Sequence, residues 1–292
     1  MKPSGIVFLN KPPGRTSFHS LDLLKKGLGH SRVGHSGTLD RFASGLMIAL
    51  AGNCTRMAGF FTGLDKTYLA VMRFGEETDT LDPEGRVVAA GPVPGYPQIM
   101  EALPLFTGKI SQVPPAYSAI HVNGRRAYRS ALAGETPELK PREVEIAWIH
   151  PLSYEPPDFC FRVRCSKGTY IRSLARDLAA ALGTRGRLES LCREAVGDFT
   201  LQEGVRPEAF HLGDLKTPEE VLPRIRGFSS AGVKPEAWTK IQSGRAFEED
   251  FLEVPREMAP GNWLLLAAGR TIAVLEVGEG GRRYRLIRGV EA

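Results

Sequence analysis

The stretch VGHSGTLD, residues 33–40, gathers small and polar residues around one carboxylate, that of Asp40. The glycines at 34 and 37 allow the backbone to adopt a positive φ or to approach a ligand closely. The next residues, 42–50, have a helical composition, so Asp40 could simply cap a helix. A carboxylate in such a loop can instead act as a nucleophile that forms a covalent intermediate without a metal or cofactor. This stretch alone leaves both interpretations open.

Apolar runs and chain breakers on both sides of this stretch predict short strands and amphipathic helices. The first predicted elements are a strand at 6–9 and a helix that Ser17 caps, with Leu21, Leu24 and Leu28 on one face. Strands at 67–74 and 86–89 are predicted to pair around a turn at 82–85. A helix near 97–107, a strand at 159–165, a turn at 166–168 and a helix over 171–182 follow. Asp79, Asp82 and Glu84 could also suggest calcium, but the terminal glutamate spacing of an EF-hand is missing, which favours a hairpin turn.

The composition is that of a globular protein that needs no covalent cross-links. Of the 292 residues, 42% are hydrophobic and 24% are charged. No apolar window of about 18 residues is present and the N-terminus lacks a signal-like apolar stretch, so we expect a cytoplasmic protein without membrane contact. The four cysteines form no C-x-x-C pair, and the motifs of nucleotide-binding loops, serine hydrolases and zinc proteases are absent. The sequence therefore predicts neither a metal site nor a cofactor.

The net charge of +5 is concentrated in two segments that lie far apart in the sequence. Residues 1–60 and residues 160–193 each contain eight basic and two acidic residues, whereas the rest of the chain is acidic overall. If the two segments meet in space, they form a basic face suited to a phosphate backbone. If they do not meet, they are two separate solvated surfaces.

Two other regions differ in character from the rest of the chain. Residues 112–145 combine prolines with an arginine cluster, which predicts an arm or insertion. After about residue 228, short strands at 263–267, 271–277 and 284–287 are separated by glycines, and acidic and basic residues balance. This pattern predicts a small β-rich accessory domain.

Five motifs occur in the order found in one known family: KPPGRTS at 11–17, VGHSGTLD at 33–40, KTY at 66–68, TDT at 78–80 and GTYIR at 168–172. Together they resemble the TruB family of bacterial tRNA pseudouridine-55 synthases. The sequences PAYSA at 115–119 and NGRRAY at 123–128 are also similar to that family, and the resemblance covers roughly residues 5–200. The region after 228 resembles the family's PUA-like RNA-binding domain more loosely.

The resemblance implies an α+β pseudouridine synthase fold, with helices that flank a mixed, largely antiparallel central sheet. It implies a catalytic domain at 1–228 with an RNA-clamping arm at about 117–145, followed by a PUA-like domain at 229–292. It also implies an enzyme that isomerises uridine 55 in the T-loop of tRNA to pseudouridine. Because that reaction breaks one glycosidic bond and forms another without redox change, it needs no cofactor.

The resemblance assigns catalytic roles to three residues. Asp40 is the nucleophile and attacks either C1′ of the ribose or C6 of the base. Arg172 pairs with Asp40 and keeps the carboxylate ionised and oriented. Tyr68 stacks on the uracil and helps to remove a proton during the rearrangement.

The other assigned residues bind the substrate, tRNA held by its T-arm. A uridine stacked in a folded loop must flip out to be reached, and His35 is placed to fill the vacated stack. Tyr170 packs beside Arg172, and Leu191 provides an apolar wall. The further expected RNA contacts are Lys11, Arg125, Arg126 and Lys167, the last in a turn that begins a helix and suits phosphate.

Two positions depart from the family pattern: Arg41 stands where proline is usual, and Cys192 stands where arginine is usual. Two other functions remain open, a guide-RNA-dependent relative that acts with protein partners and an RNA-binding module that has lost catalysis. The intact Asp40, Tyr68 and Arg172 favour an active enzyme that needs no obligatory protein partner.

Overall fold

A computed structural model describes residues 3–118, 121–122, 125–126, 139–243, 245–254, 257–279 and 284–288, with backbone alone at 121–122, 125–126, 242 and 284–288. The strands are β1 (Gly5–Lys11), β2 (Val33–His35), β3 (Ser44–Ala51), β4 (Lys66–Phe74), β5 (Glu76–Thr78), β6 (Val87–Ala90), β7 (Gly108–Gln112), β8 (His121–Val122), β9 (Arg125–Arg126), β10 (Arg142–Glu155), β11 (Asp158–Cys165), β12 (Gly186–Val196), β13 (Phe199–Thr200), β14 (Phe228–Gly232), β15 (Gly261–Ala267), β16 (Arg270–Val277) and β17 (Tyr284–Arg288). The α-helices are α1 (Ser17–Leu28), α2 (Ala58–Thr62), α3 (Tyr96–Ala102), α4 (Ile171–Ala181), α5 (Pro218–Val221) and α6 (Pro235–Gln242).

The central sheet follows the order β1-β3-β12-β4-β11-β10-β7, with β2 beside β3 and β13 beside β12. Strands β3 and β12 run parallel, and the other described neighbours in this sheet are antiparallel. Helices α1 and α4 contribute to one apolar cluster with the sheet. The expected α+β class, with a mixed and largely antiparallel sheet, is confirmed.

Strand β3 shows that the helix predicted at 42–50 is wrong. All but its first residue are buried, and an apolar run that is buried on both faces has no period that distinguishes a strand from a helix. Gly45 adopts a φ of +112°, and a Cβ there would lie 2.4 Å from the backbone oxygen of Arg193 in β12. Asp40 therefore does not cap a helix. It lies in the connection between β2 and β3, residues 36–43, which we call the Asp40 loop.

Helix α1 forms where the sequence predicts it, and its three predicted leucines are buried. The residue that caps it is Thr16, whose hydroxyl accepts a hydrogen bond from the His19 N–H at 3.1 Å. Ser17, the predicted cap, is the first residue inside the helix. Its side chain is thereby available for the Asp40 loop.

The predicted pairing of 67–74 with 86–89 is wrong. β4 pairs with β11 and β12 inside the central sheet, and β6 pairs with the short strand β5. The turn at 82–85 does lie within a hairpin, but β5 and β6 are its arms. β4 joins the central sheet because its alternate residues Ala70, Met72 and Phe74 are buried there.

A second sheet of order β14-β15-β16-β17 forms near the C-terminus, and its last three strands match the sequence prediction. Leu264 of β15 and Val274 of β16 belong to one apolar cluster with Ile6 and Phe8 of β1. Because neighbouring residues of a strand face opposite sides, this cluster lies on the face of the central sheet away from α1. The second sheet is therefore packed on the central sheet.

The predicted arm at about 117–145 lies largely outside the described residues; the backbone pairing of β8 with β9 and the start of β10 are described. The division of the chain at 228 stays a prediction. In the described part of the chain, no helix combines the length and apolar character needed to cross a membrane.

Candidate active site

A pocket of about 280 Å³ opens where five distant parts of the chain meet. They are the Asp40 loop, the start of β4, the segment that ends at Ser118, the turn that precedes α4, and the middle of β12. Six of the residues predicted for the site line this pocket: Asp40, Tyr68, Lys167, Tyr170, Arg172 and Leu191.

Asp40 and Arg172 form the predicted ion pair, with 2.9 Å between Asp40 Oδ2 and Arg172 Nε. The arginine side chain is 4% exposed, whereas the aspartate side chain is 38% exposed toward the pocket. Arg172 donates further hydrogen bonds to the carbonyl oxygens of Thr80 at 2.8 Å and Tyr117 at 2.9 Å. A third contact, 3.4 Å from Nη1, reaches Asp82 Oδ2. The guanidinium is thus fixed by several groups, and Asp40 makes one contact with it.

Burial raises the pKa of the Asp40 carboxyl above its ordinary value. The Arg172 guanidinium opposes this shift, and the nearby Asp82 carboxylate adds to it. Asp40 is therefore a carboxylate whose negative charge is only partly compensated. Such a group is more basic and more nucleophilic than a solvated aspartate.

Two buried side chains hold the backbone of the Asp40 loop. Ser17 Oγ donates to the carbonyl oxygen of Leu39 and accepts from its N–H, both at 2.9 Å. From the other side, Arg193 donates to the carbonyl oxygens of Leu46 at 2.7 Å and Gly37 at 3.1 Å. The backbone of the Asp40 loop is therefore held between α1 and β12.

Lys11, predicted to bind substrate, lies beneath the loop with no exposed surface. Its ammonium donates to the carbonyl oxygens of Pro12 at 3.0 Å, Arg15 at 2.5 Å and Ala43 at 2.6 Å. Burial lowers the pKa of this lysine to about 8. The structure gives Lys11 the position of a loop support, away from the pocket lining.

The pocket walls are aromatic and aliphatic. Tyr68 projects from β4, Tyr170 directly precedes α4, and Leu191 of β12 is 8% exposed. Burial raises the pKa of both tyrosines, so each presents a protonated phenol at neutral pH. Gln112 fixes the Tyr170 backbone in both directions, accepting from its N–H at 2.8 Å and donating to its carbonyl at 3.1 Å.

Of the other predicted residues, Lys167 lines the pocket from an exposed position and His35 does not line it. His35 is half-buried at the end of β2, and its Nδ1 accepts a hydrogen bond from the Gly37 N–H at 3.2 Å. Burial lowers the pKa of this imidazole, which is therefore neutral at pH 7. Lys167 is exposed in the turn before α4. The side chains of Arg125 and Arg126 lie outside the described part.

Sequence reasoning missed two residues of the site, Asp82 and Arg193. The sequence around Asp82 suggests calcium or, more strongly, a hairpin turn, whereas the hairpin carries the Asp82 carboxylate to the buried Arg172. Arg193 is one of many arginines in a basic segment, and its burial depends on the parallel pairing of β3 with β12. The TDT motif at 78–80 was the available signal for Asp82, because Thr80 Oγ donates to Asp82 Oδ1 at 2.6 Å.

The two basic segments do meet, since β3 pairs with β12 and Asp40 pairs with Arg172. Several of their arginines, however, form ion pairs with carboxylates of the same chain. Arg162 pairs with Glu194 at 2.6 Å, and Arg187 pairs with Glu76 at 2.5 Å. The basic surface open to a ligand is therefore smaller than the charge count of the sequence suggests.

Solved structures show the same fold. The chain superposes on a protein chain of a Cbf5–Nop10–Gar1 complex with a TM-score of 0.69 and 21% sequence identity, covering 99% of this chain and 84% of that one. An archaeal box H/ACA Nop10–Cbf5 complex gives a TM-score of 0.68 at 19% identity. At this identity the likeness establishes the fold alone, which is the pseudouridine synthase fold.

Sequence relatives define the family. Residues 25–171 match the model of the TruB family pseudouridylate synthase, N-terminal domain. The chain is 40% identical to tRNA pseudouridine synthase B of Borreliella burgdorferi (strain ZS7), over 84% of this chain and 86% of that protein. It is 38% identical to the protein of that name from Borrelia garinii subsp. bavariensis, over 97% and 98% of the two chains. The chain therefore belongs to the TruB family and is a pseudouridine synthase, as its motifs predict.

Proposed function

We propose that this chain converts uridine 55 in the T-loop of tRNA to pseudouridine, with Asp40 as the nucleophile. The observation that carries the proposal is the Asp40–Arg172 ion pair at 2.9 Å, with the aspartate 38% exposed in a pocket walled by tyrosines. The relatives that share 38% and 40% of its sequence are named tRNA pseudouridine synthase B, which supports tRNA as the substrate class.

The reaction balances within the substrate. The bond from C1′ to N1 breaks and a bond from C1′ to C5 forms; the C5 hydrogen leaves as a proton, and N1 gains a proton. No electrons are exchanged, so the chemistry requires no cofactor. Asp40 adds covalently to the substrate, at C1′ or at C6, and is released when the new carbon–carbon bond has formed.

Arg172 serves this step by orienting the carboxylate. Its side chain is 4% exposed and is held by three further acceptors, so it cannot follow Asp40 if the carboxylate moves toward the substrate. The single contact that Asp40 makes with Arg172 leaves its other oxygen available. This arrangement is preorganised, because the charges are in place before the substrate arrives.

Base flipping brings the uridine to Asp40. A base stacked in a folded RNA loop cannot enter a pocket of about 280 Å³ between strands, so the nucleotide must leave the stack. Tyr68 offers an aromatic face for the flipped uracil, and the protonated phenol is a hydrogen-bond donor. The neutral imidazole of His35, half-buried beside the Asp40 loop, fills the gap that the base leaves in this proposal.

Positively charged groups outside the pocket hold the RNA backbone. Lys167 is exposed in the turn before α4, where backbone N–H groups of the helix start also favour phosphate. Arg125 and Arg126 of the arm contact the T-arm in this proposal, and the C-terminal sheet adds further backbone contacts. These contacts position the substrate and supply no chemistry.

The experiment uses the purified chain and one unmodified tRNA transcript. We expect pseudouridine at position 55, formed without another protein or a guide RNA, and none in a transcript that carries cytidine at that position. Pseudouridine at other positions alone would contradict the T-loop assignment. A requirement for a guide RNA and protein partners would instead favour the guide-RNA-dependent class.

A further inference from the structure

Ser118 has a hydroxyl that the fold leaves without a partner. Its side chain belongs to the pocket lining together with Asp40 and Tyr170, and the residue is 5% exposed. In the described part of the chain, no group meets hydrogen-bond geometry with Ser118 Oγ. The phenol of Tyr170 is a candidate partner: an interaction with the Ser118 side chain opposes the rise in the pKa of Tyr170, but the two hydroxyls do not meet the distance and angle limits of a hydrogen bond.

Side chains of α4 fix the segment that carries this serine. Ser173 Oγ and Arg176 Nη2 donate to the carbonyl oxygen of Val113 at 2.8 and 2.9 Å. Arg172 Nη2 donates to the carbonyl oxygen of Tyr117 at 2.9 Å. The same arginine pairs with Asp40, so the serine hydroxyl and the nucleophile are positioned by one side chain.

A buried hydroxyl without a partner destabilises a folded protein, because water is removed and nothing replaces it. Native proteins keep few such groups, and those they keep are found preferentially at functional sites. Five buried side-chain atoms in the described part lack a hydrogen bond, and two of them belong to residues that line this pocket. Arg172 Nε still has an ionic partner, since it lies 2.9 Å from Asp40 Oδ2, whereas Ser118 Oγ has no charged partner among the described residues. The other three, on Ser20, His30 and Thr271, lie away from the pocket.

We propose that Ser118 is a substrate-binding residue whose hydroxyl bonds a polar group of the target uridine in the pocket. This inference rests on the proposed entry of a flipped nucleotide. A serine hydroxyl can both donate and accept, and uridine offers carbonyl oxygens, an N3–H and a ribose 2′-hydroxyl. The bound nucleotide completes the hydrogen bonding that the protein alone leaves incomplete.

The test compares stability with activity in the full-length enzyme. In Ser118→Ala we expect kcat/KM for the tRNA transcript to fall about tenfold, with Tm unchanged or higher, because an unsatisfied hydroxyl is lost. In Ser118→Cys, which keeps a weak donor of similar size, we expect a smaller loss. Ser173→Ala is the matched control: it removes a hydroxyl that does bond the protein and does not line the pocket, so Tm falls.

Substrate analogues identify the contacted group. Transcripts carry 2-thiouridine, 4-thiouridine or 2′-deoxyuridine at the modified position, and each is assayed with wild type and Ser118→Ala. An analogue that lacks the contacted acceptor or hydroxyl should lower kcat/KM of wild type. The same analogue should not lower kcat/KM of Ser118→Ala below the value that this variant has with the uridine transcript. Coupling with a thio-substituted base assigns the contact to the uracil, and coupling with the deoxy sugar assigns it to the ribose.

The two proposals fail separately. Wild-type product at a position other than 55 contradicts the T-loop assignment, and the serine is then tested at the uridine that is modified. If Ser118→Ala has the kcat/KM and the transcript affinity of wild type, the role of the serine is overturned. If the wild type does not turn over, the comparison of transcript affinity between wild type and Ser118→Ala tests the role by itself. A fall in Tm as large as that of Ser173→Ala also overturns it, since the hydroxyl would then be structural.

Discussion

Two arginine–aspartate pairs, one between strands of the central sheet and one in the pocket, leave their aspartates with opposite shifts in pKa. Arg73 of β4 binds Asp158 of β11 through two parallel hydrogen bonds of 2.8 and 2.7 Å, and this pairing lowers the pKa of Asp158. Arg172 approaches Asp40 through one contact of 2.9 Å, and burial raises the pKa of Asp40 in spite of it. Residue type is the same in both pairs, so the surroundings make the difference.

The comparison shows how a reactive carboxylate is obtained. Arg73 and Asp158 are each about one-third exposed, and the bidentate contact satisfies both carboxylate oxygens. Arg172 is almost fully buried and divides its donors among several acceptors, which leaves Asp40 under-satisfied in a pocket. A fully paired carboxylate is stable and unreactive, whereas a partly paired one in a low-dielectric site retains nucleophilicity.

Replacing each aspartate by asparagine gives the largest expected contrast. Asp40→Asn should lower single-turnover pseudouridine formation by at least about 10³-fold, because an amide cannot act as a carboxylate nucleophile. Transcript affinity should stay within about tenfold, since the amide is nearly isosteric. Asp158→Asn is the control and should react within about twofold of wild type. Multiple turnover by Asp40→Asn would contradict the assignment.

Asp82→Asn tests the electrostatics of the catalytic pair. Asp40 reacts as a carboxylate, so activity is lost as the pH falls through its pKa, and the Asp82 charge raises that pKa. Removing the charge should move the acidic limb of the kcat/KM profile to lower pH. We also expect a plateau about tenfold or more below wild type, because Asp82 contacts Arg172 as well. An acidic limb that stays in place or moves to higher pH would show that Asp82 does not act on Asp40 by its charge.

Leu264→Ala separates loss of stability from loss of activity. The side chain is 1% exposed in the cluster between the two sheets and contacts neither ion pair, so we expect about 2–4 kcal/mol less free energy of unfolding in urea. Single-turnover rates at saturating tRNA should stay within about twofold. Leu152→Ala, at a position 48% exposed, is the control.

The packing of Leu264 and Val274 against β1 leads us to expect that deletion of 229–292 destabilises the catalytic body. A truncated chain as stable as the full chain in urea would contradict this.

The smallest effect is expected for the stability of Asp158→Asn. Ion pairs this exposed contribute up to about 1 kcal/mol, and salt screens them. Because pairing lowers the folded-state pKa of Asp158, its contribution is present at neutral pH and is lost as the pH falls through that lowered value. Urea unfolding at neutral and at acidic pH, with and without salt, checks this. A difference that grows on acidification would contradict it.

The sequence identified the central residues of the site because their motifs are local. VGHSGTLD and GTYIR each keep their chemistry within a few residues, and the structure brings Asp40, Tyr170 and Arg172 into one pocket. The helix α1, the strands β1 and β11 and the last three strands of the C-terminal sheet were also predictable, since each has its own apolar period and its own breakers.

The tertiary structure decided what depends on partners that are distant in sequence. The run after Asp40 is a strand because β1 and β12 cover both of its sides, and no local period records that environment. Lys11 supports a loop instead of facing a ligand because carbonyl oxygens from two chain segments, residues 12–15 and 41–43, surround its buried ammonium. Asp82 reaches Arg172 only when a hairpin folds across the sheet. Composition and spacing determine which groups a chain carries, but burial and pairing determine which of those groups stay reactive.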